Sequence, residues 1–338
     1  MKIFESDPLS SAAPAVRALG DSVTPTMKAV RIHAFGDSSV IRYEDAPRPE
    51  PAAGEVLVQV HAAGVNPVDW KVREGQLEAL LHHSLPLTLG WDVSGVVAEI
   101  GSGVSQFKSG DEVYGLLDVS RNGAHAEYVA VPESDLALKP KSLHHVHAAA
   151  VPVAALTAWQ ALFETADLKA GQHVLIHGAA GGVGHLAVQL AKWKGARVIA
   201  TASAKKHEWL RGLGADELID YTAQPFETGV GKADVVLDGI GGETQERSWL
   251  TLKPGGILVS LVSPPSAEKA EAFGVRATFV VSEGNSARLT QIAELIDDGK
   301  LKPVVERIIP LSEAHRAYEL SQTGHTRGKI VLRVKDCT

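Results

Sequence analysis

Among its 338 residues the chain has a single cysteine, Cys337. One thiol excludes an intrachain disulfide and any zinc site built from several cysteines. It also suits a reducing cytoplasm, which is the expected location. Aromatic residues are scarce at 5%, and 33 Lys and Arg against 40 Asp and Glu leave a net charge of −7. With no long basic run, a nucleic-acid surface is excluded. No stretch approaches the roughly eighteen consecutive apolar residues of a membrane span, so no membrane partner is expected. Residues 1–26 lack periodicity and an apolar core. Glu5, Asp7 and Asp21 do not fit an organellar transit peptide, so the segment reads as a mobile extension.

What is present is ordinary globular material, 45% hydrophobic and 22% charged, in a length that suits two domains. From Lys28 to about residue 135, short alternating runs such as Glu55–His61, Val93–Ile100 and Ala126–Val131 are separated by Gly, Pro and Asp turns. They predict a predominantly β domain. Ala148 to about Thr165 is alanine-rich and predicts a long helix bridging to the second domain. There strands alternate with helices (near 197–201, 217–220, 234–238, 257–261 and 276–281), the pattern of an α/β doubly wound parallel sheet. A helix over Leu289–Asp298 and a closing strand at 328–333 return toward the first domain, placing the active site in the cleft.

The most informative stretch is His173–Lys192. An apolar run, Val174–Ile176, precedes Gly178, Gly181 and Gly184, and then Val183, Leu186, Leu190 and Trp193 repeat at helical spacing. Strand, glycine turn and helix in that order bring backbone amides against a pyrophosphate at the positive end of a helix. The next strand, Arg197–Ser203, carries no Asp or Glu at its end; Ser203, Lys205 and Lys206 stand there instead. A carboxylate would repel a ribose 2′-phosphate, whereas a hydroxyl and ammonium groups attract it, so the expected cofactor is NADPH.

Four motifs then occur in register: Gly64-Val-Asn-Pro-Val-Asp-Trp-Lys71, Gly90-Trp-Asp-Val-Ser-Gly-Val-Val97, Ala179-Ala-Gly-Gly-Val-Gly184 and Gly328-Lys-Ile-Val331. From Met27 to about Val334 the chain resembles the zinc-independent quinone oxidoreductase branch of the medium-chain dehydrogenase/reductases. Within that branch it is most similar to NADPH-dependent alkenal/enone oxidoreductases. The resemblance implies a GroES-like β-rich catalytic domain over 27–150, completed by 290–338, a Rossmann NADP-binding domain over 151–289, and a homodimer. Zinc-dependent relatives place a cysteine in the segment matching Gly64–Asp69 and Gly-His-Glu where this chain has Gly90-Trp91-Asp92. With no cysteine there, a Cys–His zinc site is unavailable. His82-His83 and His144-His145-Val-His147 are expected to be mostly solvent-facing, with no metal role.

Carried over residue by residue, the resemblance puts Asn66 and Lys71 at the nicotinamide end and the substrate. Thr157 falls at the nicotinamide ribose or amide, and Ala180, Gly181, Gly182 and Val183 at the pyrophosphate. Ser203 and Lys206 face the 2′-phosphate and Tyr221 the adenosine. Val262, Phe279 and Val281 line the cofactor, and Lys329 lies near the phosphates. The plainer alternatives are that Thr157 caps or packs in its helix, that Tyr221 is core and that Lys329 is a solvated strand start. Trp70 and Trp91 are candidate pocket walls, although large aromatics also serve as plain core. The expected reaction is hydride transfer to the C=C bond of an α,β-unsaturated carbonyl, with Lys71 and Asn66 stabilising charge on the substrate oxygen. Quinone reduction is the alternative enzyme reading. An NADPH-binding structural or partner-binding role without turnover is the alternative of another class.

Overall fold

The computed structural model describes residues 25–335. The extension expected over 1–26 therefore lies, apart from Pro25 and Thr26, outside the described residues, as does Cys337. In chain order the strands are β1 (Thr26–Ile32), β2 (Ile41–Pro47), β3 (Glu55–Val65), β4 (Leu87–Thr88), β5 (Asp92–Ile100), β6 (Glu112–Leu116), β7 (Tyr128–Pro132), β8 (Leu136–Leu138), β9 (His173–His177), β10 (Arg197–Thr201), β11 (Glu217–Ile219), β12 (Ala233–Asp238), β13 (Leu252–Ser260), β14 (Arg276–Phe279), β15 (Val305–Pro310) and β16 (Lys329–Arg333).

The first and last parts of the chain build the β-rich half. A seven-stranded sheet runs β15-β16-β3-β5-β6-β8 with β7 also paired to β3, and a three-stranded sheet runs β2-β1-β4. Alternation explains β3: Val56, Val58 and Val60 are buried in the main core. The strand β16 inserts antiparallel beside β3, Ile330 opposite Val65, so residues far apart in sequence meet at one sheet.

The middle of the chain forms a six-stranded sheet, β11-β10-β9-β12-β13-β14, with every neighbouring pair parallel. Numbered within that sheet the order is 3-2-1-4-5-6, the doubly wound arrangement. Its central strands Val174–Ile176 and Val235–Leu237 are buried on both faces, which is why they read as continuous apolar runs. The order reverses beside β9, so a crevice opens beyond the carboxyl ends of β9, β10 and β12.

The expected long helix from Ala148 to Thr165 is broken. A short helix, His145–Ala148, is followed by Pro152–Trp159 and a π-helical turn, Gln160–Thr165. Pro152 has no N–H to continue the first piece and instead starts the second at its first helical position. Taken together, His145–Thr165 has the length and mean hydropathy (1.4) of a bilayer span, yet 72% of the most apolar part is covered within the fold.

Candidate cofactor cleft and active site

The cleft is organised by the turn after β9. Gly178 adopts φ +66°, and the Gly181 amide donates to the Gly178 carbonyl at 2.9 Å. A Cβ on Gly184 would stand 2.2 Å from that same carbonyl, so the close approach of helix to strand needs glycine. The helix Gly184–Trp193 then begins; the His185 amide donates to Gly181 O at 3.2 Å and the Leu186 and Ala187 amides to Val183 O at 3.1 and 3.0 Å, which leaves the amides of Gly182, Val183 and Gly184 at its start for a ligand. They face the crevice with the positive end of the helix, a fit for a pyrophosphate. Two ties fix the turn from the other half of the protein. Gly328 N donates to Ala180 O at 2.9 Å. His185 donates from Nδ1 to Gly181 O at 3.0 Å, and its Nε2 accepts the Val304 amide at 3.1 Å. Burial pushes the His185 imidazole down to about 4.

At the end of β10, Ser203 is half-buried, and Lys206 Nζ donates to the His325 carbonyl at 2.9 Å. Burial lowers the Lys206 pKa, and the Arg327 charge acts in the same direction against Glu306. Arg327 itself lies over the Trp209 ring, 5.5 Å from its centroid. Apolar side chains are left uncovered at the carboxyl edge: Val281 is 64% exposed, Tyr221 54%, Ile240 53%, and Phe279 and Val262 just over a third. Such surface at a sheet's carboxyl edge suits the flat rings of a dinucleotide. Thr157 is buried, donates from Oγ1 to Val153 O at 2.6 Å, and therefore accepts from Ser282 Oγ at 2.8 Å.

Asn66, expected at the nicotinamide end, and Lys329, expected near the phosphates, meet in one buried cluster. Asn66 Nδ2 donates to Asp92 Oδ2 at 2.8 Å, and Lys329 Nζ donates to the same oxygen at 3.1 Å and to Val65 O at 3.2 Å. Lys329 Nζ also donates to Asn66 Oδ1. Asn66 caps the helix Pro67–Arg73, and its amide donates back to Asp69 Oδ2 at 2.7 Å. Burial pushes the Asp69 carboxyl up to about 8, against the pull of the Asn66 amide. Lys329 thus differs from its expected place at the phosphates. Its stem passes the turn, where a Cβ on Gly182 would lie 3.1 Å from Lys329 Cδ, but its ammonium points at Asp92. Likewise Asn66, expected to polarise the substrate oxygen, engages its carboxamide inside the protein.

Lys71 is half-buried on the same helix, its Nζ 5.8 Å from the Trp70 ring centroid. Trp70 is half-buried, and among the described residues its Nε1 has no partner. Trp91 does not wall a pocket: it is fully buried in the β core, with Nε1 donating to Arg121 O at 3.0 Å. Two histidines expected to face solvent are also buried. His83 Nε2 donates to Val119 O at 2.8 Å, while His145 Nδ1 meets Ser94 Oγ at 2.8 Å and its Nε2 stands 3.1 Å from Glu112. Among the described residues no three His, Cys, Asp or Glu side chains are grouped to hold a metal. Sequence reasoning missed the parts played by Asp92, Asp69 and Ser282. The available signal was an acid at the buried head of a strand and another three residues after a helix-capping Asn.

Fold and site define an oxidoreductase that uses a nicotinamide dinucleotide. Residues 52–141 match the alcohol dehydrogenase GroES-like domain, and residues 213–332 match the zinc-binding dehydrogenase family. The chain is 39% identical over 346 residues to the chloroplastic NADPH-dependent alkenal/one oxidoreductase of Arabidopsis thaliana, covering 98% of this chain and 86% of that protein. It is 34% identical over 355 residues to the mitochondrial NAD(P)H oxidoreductase RTN4IP1 of Danio rerio, covering 92% of each. The solved structure of the Coxiella burnetii quinone oxidoreductase superposes with a TM-score of 0.87 at 39% identity, covering 92% of this chain and all of that one. The chain belongs to the medium-chain dehydrogenase/reductase family. The expected cytoplasmic location is withdrawn, because these curated relatives are mitochondrial or chloroplastic.

Proposed function

We propose that the protein uses NADPH to reduce the C=C bond of α,β-unsaturated carbonyls and does so without zinc. The observation that carries the reading is the end of β10, where Ser203 and Lys206 stand and no carboxylate does, at the mouth of a glycine turn that fits a pyrophosphate. Bound there, the nicotinamide would supply hydride from its C4. The amides of Gly182, Val183 and Gly184 hold the diphosphate, and Ser203 and Lys206 hold the 2′-phosphate. Val262, Phe279 and Val281 exclude water from the ring. Thr157 and Ser282 offer hydroxyls beside it. Lys71 Nζ donates to the substrate oxygen, where negative charge grows as the alkene accepts hydride, and a proton from water at the α-carbon completes the reduction. A conjugated acceptor needs no Lewis acid for this step. The zinc-free reading rests on donor chemistry: Asn66 and Trp91 stand in or near the positions where zinc-dependent relatives place cysteine and histidine, and carboxamide and indole are poor zinc ligands.

Quinone reduction is the second reading, supported by the name of the Coxiella burnetii structure. The domain division at residues 150 and 289 and a homodimer belong to the same proposal. A second copy has an edge to meet at β14, which ends the six-stranded sheet. Stopped-flow NADPH oxidation with an enone, a quinone and no acceptor tests the reading. Fast loss of NADPH with the enone supports it, preference for the quinone selects the alternative, and binding without oxidation points to a non-catalytic role. Lys71→Met is expected to lower kcat/KM at least tenfold; wild-type activity would remove Lys71 from the mechanism.

A further inference from the structure

A buried ionic cluster converges on Asp92, a fully buried residue at the head of β5, between Gly64 of β3 and Leu116 of β6. Its carboxylate accepts from three separate segments. Oδ1 takes the Val153 amide at 2.6 Å; Oδ2 takes Asn66 Nδ2 at 2.8 Å and Lys329 Nζ at 3.1 Å. Each donor stands next to something in the cleft. Val153 lies in the first turn of Pro152–Trp159 and its carbonyl receives the Thr157 hydroxyl. Asn66 caps the helix that carries Trp70 and Lys71. The Lys329 stem runs beside Gly182 in the dinucleotide turn.

We propose that Asp92 is a positioning residue for hydride transfer, fixing the dinucleotide turn, the Lys71 helix and the Thr157 helix relative to one another through Lys329, Asn66 and Val153. The inference rests on the reading of the cleft as an NADPH-dependent reductase. Only a carboxylate satisfies the three donors, since both of its oxygens accept. It also supplies the negative charge that suits the first turn of Pro152–Trp159, whose own N-cap, Val151, offers no side-chain acceptor. The cluster has no slack: a Cβ on Gly64 would fall 2.6 Å from Asp92 Oδ2 and 2.4 Å from Ala149 O. Asparagine at 92 keeps the shape but turns an NH₂ toward a donor, which pushes one of the three segments away.

The test uses the full chain with NADPH deuterated at the transferred position. Asp92→Asn is expected to lower kcat about 10- to 100-fold, the effect of a misplacement on the order of 1 Å. The acceptor KM should shift less than about threefold and the isotope effect should grow as the hydride step becomes slower. An unchanged kcat and isotope effect in folded Asp92→Asn would overturn the proposal, even if its melting temperature fell. If that variant does not fold, Asp92→Asn/Lys329→Met removes the stranded charge, and its kcat is expected to lie below that of Lys329→Met alone; equal values overturn the proposal. A wild type that oxidises NADPH with neither enone nor quinone defeats the reading of the cleft instead. Asp92 is then judged by NADPH fluorescence titration, where an Asp92→Asn affinity equal to wild type defeats the proposal too.

Discussion

His185 Nε2 accepts the Val304 amide at 3.1 Å, so the ring proton must sit on Nδ1, where it donates to Gly181 O. A second proton would set two donors against each other in a buried space. His185, His125 and His177 are all pushed down to about 4 by burial, below the ordinary 6.5. The unfolded chain therefore binds more protons than the folded one between about pH 4 and 6.5, and stability falls on acidification through that window. Asp69 acts with the opposite sign. Held up at about 8, it keeps a proton that the unfolded chain releases, so its contribution shrinks as pH rises from about 4 to 8. Melting temperature against pH is expected to peak near neutrality, with an acid limb shallower by about one proton in His185→Gln. An unchanged acid limb in that variant would show that His185 is not held neutral.

Lys206→Ala should reduce the NADPH-over-NADH ratio of kcat/KM by about 10- to 100-fold, the scale of losing one charge-assisted hydrogen bond. The loss should appear mainly in the NADPH KM, with NADH kinetics little altered. Equal losses for both cofactors would place Lys206 in the His325 contact alone.

Gly184→Ala forces a methyl against the Gly178 carbonyl, a backbone atom with no freedom to swing aside. NADPH affinity measured by fluorescence should fall more than tenfold. Gly182→Ala meets the Lys329 stem at 3.1 Å and Gly328 O at 3.7 Å, both looser than the 2.2 Å approach at Gly184, and should be milder. Reversal of that order would mean the turn is looser than its geometry.

Trp91→Ala should cost about 3–5 kcal/mol in urea unfolding, as for other large buried aromatics, and also strands the Arg121 carbonyl. The kcat of the folded fraction should stay near wild type. A large change in substrate preference with little loss of stability would restore Trp91 to the pocket.

Where a signal is local, the sequence carried it. The glycine spacing after Val174–Ile176, the missing acid after β10 and the strand–helix alternation each need fewer than about thirty neighbouring residues to read. Asp92 could not be read in that way. Its partners lie 26, 61 and 237 residues away, and an isolated acid beside Trp91 gives no hint of them. The same holds for His83 and His145, polar by type and buried because Val119, in the turn after β6, and Ser94, in β5, reach them. Pro152 did announce the break in the helix, but the alanine-rich pattern around it is equally strong on both sides.

The placement of β16 matters before the protein has ever met a cofactor. Lys329 follows Asn66 by 263 residues, and Ile330–Arg333 cover the flank of β3 at Ala62–Val65. At about 5–20 residues per second, a ribosome leaves that flank bare for roughly 13 to 50 seconds after it emerges. During this interval nascent chains share an open strand edge, the kind of surface through which incomplete chains pair with one another.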